Sequence, residues 1–130
     1  MKEVVDFLKK CKTYYLATVE GDQPRVRPFG TVDVYEDKLY IQTGKVKDVS
    51  SQIQKNPKIE ISAWDGEQWI RIEATAVRDD RIEPKKQMLE AYPMLKGKYQ
   101  ADDENMEVLY LEGATATFYS FEGEPKRIKF

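Results

Sequence analysis

Histidine is absent from all 130 residues, and cysteine occurs once, at Cys11. The first absence removes the commonest metal ligand and the commonest general base at neutral pH. It excludes Ser-His-Asp and Cys-His nucleophilic mechanisms. A closed zinc site needs clustered thiolates, and a lone Cys11 cannot supply them. The same scarcity excludes an internal disulfide framework and fits a reducing compartment. Nor does either sign of charge dominate: 21 basic residues face 23 acidic ones, for a net charge of -2. No broad basic field therefore points to nucleic acid. No apolar run approaches the ~20 residues of a membrane span, and "MKEVVDFLKKCK" is too charged for a secretory core. A cytoplasmic protein is the expectation. Neither G-x-G-x-x-G after a strand nor a phosphate-binding G-x-x-x-x-G-K-[ST] loop is present. Any chemistry would belong to a bound cofactor.

The sequence is otherwise that of an ordinary globular chain, 41% hydrophobic and 34% charged, and its length suits one domain over 1–130. Val4, Leu8 and Cys11 share a helical face, with Lys2, Lys9 and Lys10 off it. "TYYLATVE" (13–20) and residues 24–35 predict a hairpin across "GDQ". "EDK" (36–38) turns into a strand over 39–43. Val46, Val49 and Ile53 predict a helix that Asn56-Pro57 ends. Ile59, Ile61 and Ala63 alternate along 58–64, "DGEQ" turns, and 69–77 is a fifth strand. Glu83-Pro84 opens a helix with Met88, Tyr92 and Leu95 on its apolar side and Pro93 as its limit. Two further strands, broken near Glu112-Gly113, precede a basic tail. The expectation is an α+β protein: one antiparallel sheet curled into a small barrel, with short flanking helices.

Two stretches carry chemistry. In "PRVRPFGTVDV" (24–34) strand alternation puts Arg25, Arg27 and Phe29 on one face. Two guanidiniums on a buried face are costly unless an anion meets them. Pro28 needs a free place in the ladder, and Gly30 lets a flat ring approach the backbone. An exposed edge strand with solvated arginines is the plainer account; a platform for a planar anion is the other. In "TGKVKDVSSQ" (43–52) a strand ends and a helix begins near Lys47. Helix starts favour phosphate through free N–H groups and the dipole, although lysines in water on a surface helix fit the same pattern. Thr43, Lys45, Lys47 and Ser51 are the candidate groups, and either lysine could face the anion. Trp64 and Trp69 suit hairpin-end aromatics or, for Trp69, a ring cover at an interface. Cys11 reads as inert core, and the tail Lys126, Arg127, Lys129 as a solvated end.

"YYLATVEGDQPRVRPFGTV", "LYIQTGKVKDVSSQIQKNPKIEIS", "WIRIEATA" and "ATATFYSFEGEPKRIKF", in that order, resemble the pyridoxamine 5'-phosphate oxidase-like family of flavin-binding split barrels. The nearest branch is that of the nitroimidazole-resistance-related proteins. The resemblance implies a split barrel that dimerises with itself and binds FMN at the subunit interface. It implies that Arg27, with the backbone of Pro28, Phe29 and Gly30, lines the flavin; Arg25 is a further candidate because alternation puts it on the same face. Gln42 and Thr43 would stand near the ribityl chain or phosphate, Lys47 near the phosphate, and Trp69 would reach the flavin from the partner subunit; Ser51, one helical turn after Lys47, is a candidate by its spacing alone. Two departures matter. Val49 stands where the wider family has a basic residue, so Lys47 would supply that charge. The longer C-terminal segment and the histidine of the vitamin B6 oxidases have no counterpart, so B6 oxidation is not implied. An FMN-dependent oxidoreductase acting on a small molecule is one expectation; a flavin-storing or flavin-sensing protein without turnover is the alternative.

Overall fold

A chain that alternates apolar and polar residues over 14–20 and 58–64 must bury one face of each strand. The computed structural model, which describes Met1–Phe130, shows this directly. Its elements are α1 (Lys2–Cys11), β1 (Tyr14–Glu20), β2 (Gln23–Phe29), β3 (Asp33–Tyr35), β4 (Lys38–Gly44), α2 (Asp48–Lys55), β5 (Lys58–Trp64), β6 (Gln68–Asp79), α3 (Ile82–Ala91), a 3₁₀ segment (Pro93–Gly97), β7 (Met106–Ser120) and β8 (Lys126–Lys129).

All strand pairs are antiparallel, in the order β2-β1-β5-β6-β7-β4-β3, with β8 added on β7. The two ends of this path, β2 and β3, are consecutive in sequence. Laid flat, seven strands would hold their outer members roughly 29 Å apart. The link from Phe29 to Asp33 can span at most about 15 Å. The sheet must therefore curl until its ends face each other, without the pairing that would close a barrel. This is the split-barrel α+β fold.

The inner face carries Tyr14, Leu16, Ile61, Ile70, Ile72, Leu109 and Ala116, each at most 1% exposed. Val4, Val5 and Leu8 of α1 plug the core, and Val49 and Ile53 of α2 complete it. A second, smaller core lies on the other side of β4 and β7, where Tyr40, Met106 and Val108 pack on Met88 and Leu89 of α3. Buried on both faces, β4 shows no alternation at all.

Four local expectations change. Residues 24–35 are not one strand, because the chain leaves the ladder at Gly30–Val32 to cross the seam. Val46 is 82% exposed and lies before α2; the chain there is held by Lys45 N–H on Asn105 O and Val46 N–H on Asn105 Oδ1. The last two strands are one: β7 runs through Gly113, whose φ of 60° absorbs the irregularity that sits between Glu73 and Thr75 of β6. The basic tail pairs with β7 of its own chain as β8, and Phe130 exchanges two backbone hydrogen bonds with Ala114.

At the far end of β6, Tyr40 Oη donates to Asp79 Oδ2 at 2.7 Å, and Arg81 clasps the same carboxylate (Nη2 to Oδ2 2.9 Å) and Glu36 (2.6 Å). This ties β4, β6, the β3–β4 turn and the start of α3 together. The Arg81 hydrogen bond, aided by Tyr40, lowers the Asp79 pKa to about 2. A carboxylate depressed in the folded state contributes stability above its unfolded pKa near 3.8, and that contribution is lost as pH falls toward about 2. Asp79→Asn should thus be less stable than wild type at pH 7. It should also lose less stability than wild type between pH 4 and 2, measured by urea unfolding at each pH.

Candidate functional site

The seam between β2 and β3 leaves backbone groups without a ladder partner, and buried ones must find partners elsewhere. Side-chain hydroxyls serve. Tyr14 Oη donates to Thr31 O at 2.6 Å; burial drives the pKa of this phenol well up, so it remains a donor. Tyr92 Oη accepts from Val32 N–H at 3.0 Å and donates to Val32 O at 3.1 Å. The Thr31 hydroxyl accepts from Gln42 N–H at 3.0 Å, where a strand partner would otherwise stand.

Beside this stitched link lies a cavity of about 570 Å³, within the usual range for small-molecule sites. Arg27, Pro28, Phe29, Gly30 and Thr31 form one side of its lining, and Gln42, Thr43, Lys47 and Val49 another. Tyr92, Met94, Leu95 and Tyr99 come from the end of α3 and beyond, and Lys9 and Lys12 from the end of α1. Pro93 shapes that third group. The residue before a proline avoids the helical region; Tyr92 sits at φ -130°, ψ 75°, and α3 gives way to the 3₁₀ segment. Tyr92 and Leu95 still pack against the core around Met88, as their spacing suggested, and both also reach the cavity at the seam. Tyr99 approaches because residue 44 is glycine: a Cβ there would stand 2.9 Å from Tyr99 Oη.

The electrostatics are one-sided. Lys9, Lys12, Arg27 and Lys47 line the cavity, and no carboxylate does. None of the four takes part in an ion pair, although nine such pairs occur elsewhere. Arg27 is held by neutral acceptors. Nη1 donates to Leu16 O at 3.0 Å and Thr18 Oγ1 at 2.9 Å, and Nη2 to Gln52 Oε1 at 2.6 Å. Those bonds use three of the five guanidinium N–H groups. Burial lowers its pKa, with a smaller opposing effect from Asp48. At α2, Lys47 is the N-cap residue and no side chain caps the helix.

Seven of the expected residues (Arg27, Pro28, Phe29, Gly30, Gln42, Thr43, Lys47) meet at this one cavity. Three do not. Arg25 shares the inner face but turns back to Glu20 at 2.9 Å. Ser51 is exposed on α2, while its neighbour Ser50 is buried and accepts from Arg78 Nη2 at 3.2 Å. Trp69 belongs to the outer sheet face, stacked on Tyr119 with ring centroids 5.4 Å apart. Of the two lysines left open, Lys47 lines the cavity and Lys45 bonds Asp80 at 3.2 Å.

Sequence reasoning missed Lys9, Lys12 and the wall from Tyr92 to Tyr99. Neither lysine carries a sequence signal; the positive φ of Lys12, 68°, shows only in the structure. A pair between half-buried Arg78 and fully buried Glu107 also escaped notice. Glu107 stands across from Thr43 in the β4–β7 register, with Oε1 buried and unpartnered.

Residues 1–120 match the family described as pyridoxamine 5'-phosphate oxidase. A NimC/NimA family protein from Clostridium acetobutylicum is similar at 47% identity with a TM-score of 0.96, covering 100% of this chain and 92% of that one. General Stress Protein 26 from Bacillus anthracis is similar at 20% identity and TM-score 0.73, over 98% of both chains. A Clostridium acetobutylicum protein related to general stress protein 26 has 16% identity and TM-score 0.69, over 99% of this chain and 92% of that one. These last two likenesses carry the fold alone. No curated protein matches. The fold is of the flavin-binding type, and the chain belongs to the pyridoxamine 5'-phosphate oxidase-like split-barrel family, alongside the NimC/NimA proteins. No helix is long and apolar enough to cross a membrane.

Tyr92→Phe removes the hydroxyl that satisfies both backbone groups of Val32, whose residue is 2% exposed. The expected loss is about 1–3 kcal/mol, visible as a lower urea midpoint with an unchanged slope.

Proposed function

We propose that this chain binds FMN in the seam cavity and works as a homodimeric flavoprotein oxidoreductase acting on a small molecule. One observation carries the reading: Arg27 and Lys47, neither in an ion pair, converge on a cavity that contains no carboxylate, in a chain whose net charge is -2. Placing like charges together is unfavourable unless an anion neutralises them.

The donor set fits a flavin phosphate. Lys47, the Thr43 hydroxyl, the uncapped start of α2 and the two unused N–H groups of Arg27 would hold it. Pro28, Phe29 and Gly30 would lie along the ring, with Gln42 available to its polar edge. Asp48, although in the first turn of α2, is not among the cavity residues. When bound, FMN supplies the electron-transfer chemistry; the protein binds, orients and shields it.

The dimer rests on the outer sheet face. Tyr15, Val26 and Trp64 are 51%, 67% and 63% exposed, and Phe121 at the end of β7 is 84% exposed. Exposed aromatic side chains on a face that also carries Glu60, Arg71 and Thr117 suit a mixed interface with a partner, and a second copy would bring Trp69 into it. Arg25 and Ser51 stay at the margin of the proposed site, where they would act on its field rather than touch the ligand.

A flavin carrier without turnover has one observation in its favour: no carboxyl, thiol or histidine lines the cavity to move a proton near neutral pH. Oxidation of a reduced nicotinamide by the FMN-loaded protein would decide for the enzyme, and its absence for the carrier. The binding itself is tested by titrating FMN and following its fluorescence quenching. Wild type should bind, and Arg27→Ala should weaken binding at least about 10-fold, as loss of a charged hydrogen bond does. Equal binding by the variant would refute the site.

A further inference from the structure

A flavin mononucleotide carries one phosphate, and the cavity has cations at two separate places. Arg27 is drawn toward Leu16, Thr18 and Gln52 by its hydrogen bonds. Lys12 lies at the other end: a Cβ on Gly30 would stand 3.7 Å from its carbonyl oxygen. Gly30 is three residues, roughly 10 Å of strand, beyond Arg27. Lys9 lies one turn earlier on α1 and lines the same cavity.

The macrodipole alone can draw cations to the last turn of a helix, and Lys10 fits that account, paired with Asp65 at 3.0 Å. Lys9 sits in that last turn as well, but unlike Lys10 it has no ion pair, and it lines the cavity together with the equally unpaired Lys12. Lys12 in addition has φ 68° and ψ -50°, the centre of a γ-turn closed by Thr13 N–H on Cys11 O at 2.8 Å, a strained conformation for a residue other than glycine. The neighbouring wall is apolar and aromatic. Phe29, Tyr92 and Leu95 line it, and Met94 lies at it with 79% of its surface exposed, an unusual place for an apolar side chain.

We infer that Lys9 and Lys12 form a second anion site, which holds the carboxylate or phosphate of a small aromatic co-ligand against the Phe29–Tyr92–Met94 wall. This deepens the proposed function and rests on it, since the co-ligand would be the molecule that meets the flavin. It restricts the substrate class to anionic aromatic compounds and assigns the two lysines to specificity rather than to flavin binding.

The test is calorimetric binding of benzoate, phenyl phosphate and benzamide to the FMN-loaded protein at low salt. Wild type should bind at least one of the two anions about 10-fold tighter than neutral benzamide, and the tighter one identifies the anionic group. In the double variant Lys9→Gln, Lys12→Gln the preference should vanish, while FMN affinity stays within about 2-fold and the thermal midpoint is unchanged. Both lysines are exposed, so the variant should fold. Equal binding of all three probes by wild type would overturn the inference. So would a 10-fold loss of FMN affinity in the double variant, because the lysines would then belong to the flavin phosphate. If wild type takes up no FMN, the proposed function fails by itself; the same three titrations on the flavin-free protein still decide whether Lys9 and Lys12 select an anion.

Discussion

The rest of the structure depends on the short crossing at Gly30–Val32. It joins strands at opposite ends of the sheet path, so it forces the curl and keeps an opening where those ends meet. A ladder hydrogen bond between β2 and β3 would close the barrel and fill the opening with backbone. Instead, hydroxyls from Tyr14, Thr31 and Tyr92 satisfy the seam, which leaves accessible the edge of β2 and the part of β4 beyond its pairing with β3. Pro28 is part of the same arrangement. With no N–H to donate, it can stand in an edge strand at the seam without an unmet bond on its outer side.

Each helix acts on that opening through its end. The last turn of α1 brings Lys9 and Lys12, the first turn of α2 brings Lys47 and Val49, and the end of α3 breaks at Pro93 to bring Tyr92 and Met94. Only the start of α2 adds positive dipole charge; the C-terminal ends of α1 and α3 carry the opposite sign, so the cavity's positive field comes from Lys9, Lys12, Arg27 and Lys47 themselves. The clasp of Asp79 by Tyr40 and Arg81 fixes where α3 begins, and thereby where its far end meets the seam.

The fold was legible in the sequence wherever one face of an element is buried. Ile59, Ile61 and Ala63 alternate because β5 has one wet side. The failures mark places where two conditions compete. Residues 24–35 keep a strand pattern through the crossing, because Thr31 and Val32 are β-formers that bury there without pairing. Val46 fits the helical period, but Asn105, distant in sequence, holds that backbone in another conformation. Half of the cationic lining was legible as well: Arg27 lies on an alternating strand beside Pro28 and Gly30, and Lys47 at a strand–glycine–helix pattern. Lys9 and Lys12 were not, since lysines on the polar side of an amphipathic helix look alike whether they face water or a cavity. Only the curl of the sheet decides between those two, and that curl is a long-range property.

The cavity's cations differ in how firmly they are held, and the difference has a chemical meaning. Arg27 has spent three N–H groups on neutral acceptors. Its position is therefore set before any ligand arrives, while its charge remains whole, because amide and hydroxyl oxygens orient a guanidinium without neutralising it. A carboxylate in the place of Gln52 would have fixed it equally well and cancelled the field. The lysines are the opposite case: flexible stems, no partner, and a rotamer entropy to lose on binding. A rigid donor gives geometry, and mobile ones adapt to the outline of whatever anion enters. A cavity with one pinned guanidinium at its inner side and loose ammonium groups around it is thus suited to hold one anion in a fixed pose and to admit a second of variable shape.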